Sequence, residues 1–249
     1  MRRAFALFMV CAAFAQANPF SRRTSRRNSG QTLRRRLFTS PLITTPGGVD
    51  LEFSSIFDPQ GGFTMPTTLK YTPSNWQTEL SVGFDTVASI NDDGGNRTTH
   101  FSDHVNMAAT TAFTPTENFS WAFAPTMAVF LRGDEGLRVG GALIARYDRG
   151  VNTFSTAATW SGATVTSPTN PSGIFDITGG YARKFGRLTP YANFQVERAS
   201  GIATQYSVFE GIEWQVNPRL SFDFGGQHYA LNTPQPDHHY SVGLTYSLK

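Results

Sequence analysis

Residues 119–131 read FSWAFAPTMAVFL, and this stretch decides the fold. Its odd positions, from Phe119 to Leu131, are large and apolar apart from Pro125, whereas its even positions from Ser120 to Ala128 are small. Successive side chains of a β-strand point to opposite faces of a sheet. This alternation therefore predicts a strand with one apolar (greasy) face and one face of small or polar residues. Residues 240–248 (YSVGLTYSL) repeat the pattern near the C-terminal end.

Ten further segments alternate in the same way, separated by turn residues and without helical periodicity. Most span 9–14 residues, close to the roughly 9–11 that a tilted strand needs to cross a bilayer. We therefore predict an all-β protein, a transmembrane antiparallel up-and-down β-barrel of about 12 strands, with 10 or 14 also open. The predicted strands are 48–56, 63–72, 76–88, 100–113, 119–131, 137–148, 151–160, 174–185, 188–198, 203–215, 220–230 and 239–248.

The composition favours the same class. Of the 249 residues only 16% are charged, while 13% are aromatic, with 21 Phe among them. A polar chain with few charges and many aromatic rings suits a wall that faces lipid on one side and water on the other, and it does not suit a soluble helical domain.

The connections predict an orientation. Those after even-numbered segments are short, such as 149–150 and 186–187, whereas 91–99 and 161–173, after odd-numbered segments, are long and polar. Outer-membrane barrels have short periplasmic turns, so both termini are expected in the periplasm. Aromatic residues near strand ends are expected to form interfacial girdles: Tyr71, Trp76, Phe113, Phe119, Tyr147, Tyr191, Trp214 and Tyr240.

The first 46 residues differ from the rest. Residues 1–17 combine a basic start, a short apolar run and an Ala-Gln-Ala ending, which predicts a cleaved signal peptide. Residues 18–46 hold seven arginines and no acid, and we predict a flexible linker without nucleic-acid binding because no aromatics interleave for stacking. Residues 47–249 form the predicted barrel, with a net charge of 12 − 18 = −6.

Charged residues on the small or polar faces are predicted to line the lumen. They are Asp50, Glu52, Lys70, Glu79, Asp85, Arg138, Arg146, Asp148, Asp176, Lys184, Glu197, Glu213 and Asp223. Their excess of acids predicts a mildly cation-favouring interior, although a salt-bridge network that conducts little is an equal alternative. Glu210 falls on the greasy face of its strand, which predicts a bulge there or a different register.

Three motifs contain residues that could bind a metal or take part in catalysis. His228, His238 and His239 with Asp237 could bind a metal, but loop histidines of secreted proteins are usually solvated, and 92–96 (DDGGN) is interpreted as a turn rather than a calcium loop. His239-Tyr240-Ser241 has the His-x-Ser spacing of lipid A deacylases, but no suitable acid follows it. We predict no enzyme activity, catalytic residue, metal or cofactor.

Three stretches resemble a known family: 40–53 (SPLITTPGGVDLEF), 113–120 (FTPTENFS) and 214–226 (WQVNPRLSFDFGG) with the closing strand. They are similar to the outer-membrane transporter family named after phenol-degradation (MetA) pathways and to its β-barrel porin relatives. The resemblance implies a monomeric or loosely associated barrel that passes small, hydrophobic or aromatic molecules and has no catalytic residues. The chain ends in Leu248-Lys249 rather than in the usual terminal aromatic, and Tyr246 could serve instead in assembly.

These observations predict a passive pore of a bacterial outer membrane for small solutes. Its expected partners are outer-membrane lipid, the barrel-assembly machinery and the solute. The alternative is a non-conducting barrel with a structural or surface-binding role.

Overall fold

A computed structural model describes residues 42–57, 62–90, 97–131, 136–166, 171–229, 231–232 and 237–248. The predicted signal peptide lies outside these residues, as does the predicted linker except for residues 42–46. Within the described part of the chain, no helix is long and apolar enough to cross a membrane.

Twelve antiparallel strands form one closed barrel in which each strand pairs with its neighbours in sequence. This confirms the predicted all-β class and the strand number. The strands are β1 (Val49–Phe57), β2 (Gly62–Tyr71), β3 (Thr78–Ile90), β4 (Arg97–Thr116), β5 (Phe119–Phe130), β6 (Leu137–Arg149), β7 (Asn152–Ala163), β8 (Gly173–Arg183), β9 (Leu188–Ala199), β10 (Gln205–Asn217), β11 (Leu220–Tyr229) and β12 (Asp237–Ser247).

The barrel closes where the first strand meets the last. β1 pairs with β12 from Asp50 opposite Ser247 to Phe57 opposite Tyr240. Closure leaves no row of unpaired backbone N–H and C=O groups at an edge, which is the condition for a sheet to cross a lipid bilayer.

β4 is the strand whose length differs most from the prediction. It covers 20 residues, Arg97–Thr116, whereas the alternation pattern predicted 100–113. The register between β3 and β4 shifts between Phe84 and Thr86, so that Val105 pairs with Phe84 and Phe101 with Thr86. Extra residues on β4 interrupt the alternation there, but the ladder resumes beyond them and lengthens the strand.

The connections divide the barrel into two ends. The short-turn end carries the connections after even-numbered strands, including the two-residue turns 117–118, 150–151 and 218–219, and the long-connection end carries the rest, up to 164–172. Gly150 adopts a φ of 62° in its turn, a conformation that glycine accepts without strain. The turn 72–77 is longer, and its first residue, Thr72, exchanges backbone hydrogen bonds with Gly47 and Gly48.

The outer face of the barrel is apolar and rich in aromatic rings. Large side chains such as Leu143 (49% exposed) and Ile177 (47%) point outward along the middle of the strands. Phe113 stacks on Trp121 at the short-turn end, with 4.4 Å between ring centroids. Six residues of the predicted girdles are exposed: Tyr71, Phe113, Phe119, Tyr147, Trp214 and Tyr240. Such a wall suits contact with hydrocarbon.

Tyr191 does not belong to this outer girdle, as the sequence analysis predicted it would. Its hydroxyl donates a hydrogen bond to Asp223 at 2.8 Å, and Asp223 is a buried residue of the inner face. Tyr191 was misplaced because an aromatic near a strand end satisfies the girdle pattern on either face of the sheet.

Candidate functional site

The enclosed face of the sheet is the strongest candidate for a functional site. On β1 the even positions, including Asp50 (9% exposed) and Glu52 (8%), are buried, whereas Phe53 and Phe57 on the other face are exposed. The same alternation places Arg138 (1%) and Asp176 (1%) inside. In a single-layered barrel a buried side chain lies in the interior, so charged residues gather where the outer wall shields them from lipid.

The predicted lumen residues fall into four groups. Asp50, Glu52, Lys70, Glu79, Arg138, Asp176 and Asp223 are buried. Arg146, Asp148, Glu197 and Glu213 are half-buried, and Lys184 is exposed just beyond the end of β8. The side chain of Asp85 lies outside the described part of the structure. Whether these residues line a conducting path stays a prediction.

Several of these charges have a defined partner. Lys70 forms an ion pair with Glu52, and both side chains are more than nine-tenths buried. Arg146 binds both carboxylate oxygens of Asp148, at 2.8 and 2.9 Å. A buried charge without such a partner would be strongly destabilising, so these contacts explain how the interior tolerates its charges.

The short-turn end of the interior contains a cavity of about 410 Å³. Charged side chains of both signs line it, among them Asp50, Arg146, Lys184 and Glu213. A cavity of this size accommodates a small organic molecule, and its charges would interact with a polar or ionic one.

Residues 42–46, which the sequence analysis assigned to the linker, enter this end of the barrel. Ile43, Thr44 and Thr45 line the cavity, and Leu42 is only 7% exposed. The backbone amide of Thr44 donates to Glu79 at 2.7 Å, and its hydroxyl lies within hydrogen-bonding distance of Glu79 (2.6 Å) and Asp50 (2.8 Å). Asp50 and Glu79, two acids predicted to line the lumen, therefore bind Thr44 of this segment.

Strands β4 to β7 give the interior a wall of small apolar side chains. This wall consists of alanines that are at most 8% exposed: Ala108, Ala122, Ala124, Ala142 and Ala157. Leu42 and Ile144 belong to the same buried cluster as these alanines. The alternation in 119–131 predicts small residues on one face of a single strand, but the continuous wall depends on the pairing of four strands.

Arg138 links β6 to β7 and to a long connection at the long-connection end of the interior. Its guanidinium donates to Ser161 at 3.1 Å and to the backbone carbonyl of Pro171 at 2.7 Å. Pro171 belongs to the connection 164–172, so this contact holds part of a long connection against the inner face. Nearby in the fold, the Thr159 hydroxyl donates to Asp176.

The outer wall contains a polar cluster, made of Glu210, His228 and His238. The pairing of β10 with β9 and β11 is continuous through Glu210, and the register shifts only between Gln215 and Asn217. The predicted bulge or register error at Glu210 is therefore wrong, and this acid does lie on the outer face. Its Oε1 atom lies 2.7 Å from Nε2 of His228.

His239 and Ser241 lie on the opposite face from this cluster. They are 3% and 5% exposed and point inward. The His-x-Ser spacing therefore does not place a histidine and a serine on the outer wall. Among the residues that the structure describes, no group of three or more His, Cys, Asp or Glu side chains converges on one metal position. The segment 92–96 and the side chain of Asp237 lie outside those residues.

Comparison with known proteins supports the fold. No family model matches this sequence, and no curated protein is similar to it. Among solved structures, the chain is similar to the NanC porin, with a TM-score of 0.61 and 9% identity over 80% of this chain and 98% of that one. It is also similar to the KdgM porin, with a TM-score of 0.58 and 10% identity over 80% and 99% of the two chains.

A structure of the KdgM porin in complex with disordered oligogalacturonate matches with a TM-score of 0.57 and 10% identity, over 80% of this chain and 99% of that one. This protein therefore shares a closed β-barrel fold with these porins. The finer resemblance to the phenol-degradation transporter family stays a prediction.

Proposed function

We propose that this chain is a passive, narrow pore for small solutes in a bacterial outer membrane. The observation that carries the proposal is the contrast between the faces of the closed barrel, which is apolar outside and charged inside. Charged side chains are tolerated inside a barrel that holds water, whereas each basic residue on the lipid face near mid-bilayer costs roughly 2–4 kcal/mol.

The charges favour cations and neutral molecules over anions. Of the predicted lumen residues whose side chains are described, eight are acidic (Asp50, Glu52, Glu79, Asp148, Asp176, Glu197, Glu213 and Asp223) and four are basic (Lys70, Arg138, Arg146 and Lys184). An excess of fixed negative charge in a narrow pore concentrates cations and excludes anions. Acidic sugars such as the oligogalacturonate seen with the KdgM porin are therefore poor candidates for this one.

The uneven interior supports solutes that are partly apolar. Ile43, Val151 and Leu220 line the cavity at the short-turn end together with the acids Asp50 and Glu213. A solute with an aromatic or aliphatic part and a neutral or cationic group would match both surfaces. This agrees with the small hydrophobic or aromatic molecules that the resemblance to the phenol-degradation transporter family implies.

The proposal includes a membrane context. We place the chain as a monomer surrounded by outer-membrane lipid, inserted by the barrel-assembly machinery after a signal peptide has directed it out of the cytoplasm. Both ends of the described barrel lie at the short-turn end, since Asp50 pairs with Ser247. Because short turns are periplasmic in bacterial barrels, we infer that both termini face the periplasm.

Reversal potentials in planar bilayers under a KCl gradient test the pore. Wild-type protein is expected to give discrete channels with a modest preference for K⁺. Glu213→Gln removes a charge from the cavity and is expected to move the reversal potential towards zero. Glu210→Gln is the matched control, because Glu210 lies three residues away on the outer face and is 48% exposed. Equal shifts for the two variants would contradict an acidic conducting path.

A non-conducting barrel with a structural or surface-binding role is the second candidate. It is favoured by the burial of many inner side chains and by the position of Leu42 and Thr44 at the short-turn end. The same experiment separates the two, because a folded barrel that inserts into the bilayer but carries no current would support this second function.

A further inference from the structure

The outer wall carries a pair of histidines, His228 and His238, which we call the outer histidine pair. They are directly opposite residues of β11 and β12, so their side chains share one face. Their Nδ1 atoms are 2.7 Å apart, and the ring centroids are separated by 4.9 Å. His228 is the last residue but one of β11 and His238 the second of β12, which places the pair close to the long-connection end.

Glu210 fixes the protonation pattern of the pair. A carboxylate accepts hydrogen bonds only, so the Nε2 atom of His228, 2.7 Å from Glu210, carries the proton. In a neutral imidazole the other nitrogen then carries no proton and has a free lone pair. In this tautomer the Nδ1 atom of His228 accepts a hydrogen bond from a protonated Nδ1 atom of His238.

We propose that the outer histidine pair binds a divalent transition-metal ion, with Zn²⁺ as the best match, through the two Nδ1 atoms. The metal takes the place of the proton shared between them, and the proton of His238 moves to its Nε2 atom, so that no net proton is released. Imidazole nitrogens favour Zn²⁺, Ni²⁺ and Cu²⁺ over Mg²⁺ or Ca²⁺.

The distances suit this assignment after a small adjustment. Zinc–nitrogen bonds of about 2.0–2.1 Å in a tetrahedral site separate two ligand nitrogens by roughly 3.3 Å. The observed 2.7 Å between the Nδ1 atoms needs to widen by about half an ångström. Both rings have room to move, because the His228 side chain is 28% exposed and His238 is exposed.

Glu210 has the position of a supporting residue rather than a ligand. Metal-binding histidines usually donate their second ring N–H to a carboxylate or carbonyl, which orients the ring and raises its basicity. The contact from Nε2 of His228 to Glu210 has this arrangement before any metal binds. The proposed site has only two protein ligands, and water would complete the coordination shell. It therefore differs from a site of three or more converging His, Cys, Asp or Glu side chains, which is not found among the described residues.

The surroundings argue against two merely solvated histidines. Neighbouring outward residues on the same strands are Phe224, Tyr240 and Val242, all large, apolar or aromatic and exposed. Three polar side chains from three adjacent strands, joined in one hydrogen-bonded row, are unusual on such a wall. A bound metal would tie β11 to β12, and this role does not depend on whether the barrel conducts.

Isothermal titration of the full-length barrel in detergent micelles with Zn²⁺, after removal of metals by a chelator, tests the proposal. Wild-type protein is expected to bind one Zn²⁺ ion. His228→Ala and His238→Ala should each weaken binding at least tenfold, and Glu210→Gln by about tenfold. His239→Gln is the matched control, because His239 is adjacent in sequence but points inward, and its affinity should equal that of wild type.

Heat-modifiable migration on gels establishes that each variant is folded. If a variant does not fold, electron paramagnetic resonance of wild-type protein with one equivalent of Cu²⁺ gives a separate readout. Coupling to two imidazole nitrogens supports the site. Absence of that coupling, absence of Zn²⁺ binding to wild type, or unchanged binding by the two alanine variants would overturn it.

Discussion

Lys70 shows how a single residue is retained inside the barrel. Its side chain lies on the enclosed face of β2 and is 4% exposed, and its ammonium group forms an ion pair with Glu52 of β1. Removal of one member of a buried pair leaves an uncompensated charge, whereas removal of both members avoids that penalty. The alternation of β2 predicts the face on which Lys70 lies, but the partner depends on the register between two strands.

Lys70→Met is expected to lower the free energy of unfolding by about 3–5 kcal/mol, because Glu52 is left without its cation. The measurement is urea-induced unfolding in lipid vesicles, followed by tryptophan fluorescence. The double variant Lys70→Met with Glu52→Gln should recover most of the loss. A single variant as stable as wild type would mean that water solvates Glu52 as well as Lys70 does.

Glu210 and Glu213 illustrate what sequence can say at this scale. They lie three residues apart on one strand and therefore on opposite faces, as the alternation indicates. The alternation pattern identifies Glu210 as an acid on the apolar face, and this exception is the only indication of the outer cluster in that strand. The pattern does not show which residues contact Glu210, because His228 and His238 come from two other strands.

Residues 42–46 are the element whose position sequence did not anticipate. The arginine-rich composition of 18–46 led us to group these five residues with the linker, but Leu42 packs within the inner apolar cluster and Thr44 binds Asp50 and Glu79. A short segment without alternation carries no periodic signal, so only the shape of the barrel mouth reveals where it fits.

We expect the double variant Leu42→Ala with Thr44→Ala to increase single-channel conductance. It removes apolar packing and the hydroxyl that lies between two carboxylates, and a hydrogen bond to a charged group contributes roughly 1.5–3 kcal/mol. The segment should then leave the short-turn end more often and widen the path. Ser74→Ala is the control, since Ser74 is exposed in the turn 72–77 and does not belong to the lining of the cavity. Unchanged conductance of the double variant would show that the segment does not narrow the pore.

At the scale of the whole molecule, the apolar outer wall is the feature that requires a membrane. Leu143 lies at the centre of β6, points outward and is 49% exposed. Comparable side chains surround the barrel, including Val82, Ile177 and Val242. A continuous apolar surface of this extent would cause association in water, but it is compatible with hydrocarbon.

Leu143→Arg is expected to destabilise the barrel in lipid vesicles by roughly 2–4 kcal/mol, because it places a cation near the middle of the hydrocarbon layer. Leu231→Arg is the matched control: Leu231 is 42% exposed but lies in the connection between β11 and β12, outside the strands. Equal effects of the two substitutions on the urea midpoint would contradict the predicted position of the membrane.

The sequence by itself determined the class, the approximate number of strands and the face on which most side chains lie. These follow from a period of two and from turn residues, which are local properties of the chain. The tertiary structure decided which charges meet, where residues 42–46 lie, and that Glu210 joins two histidines on the outer wall. Those features depend on register and closure, which bring together residues that no local pattern connects.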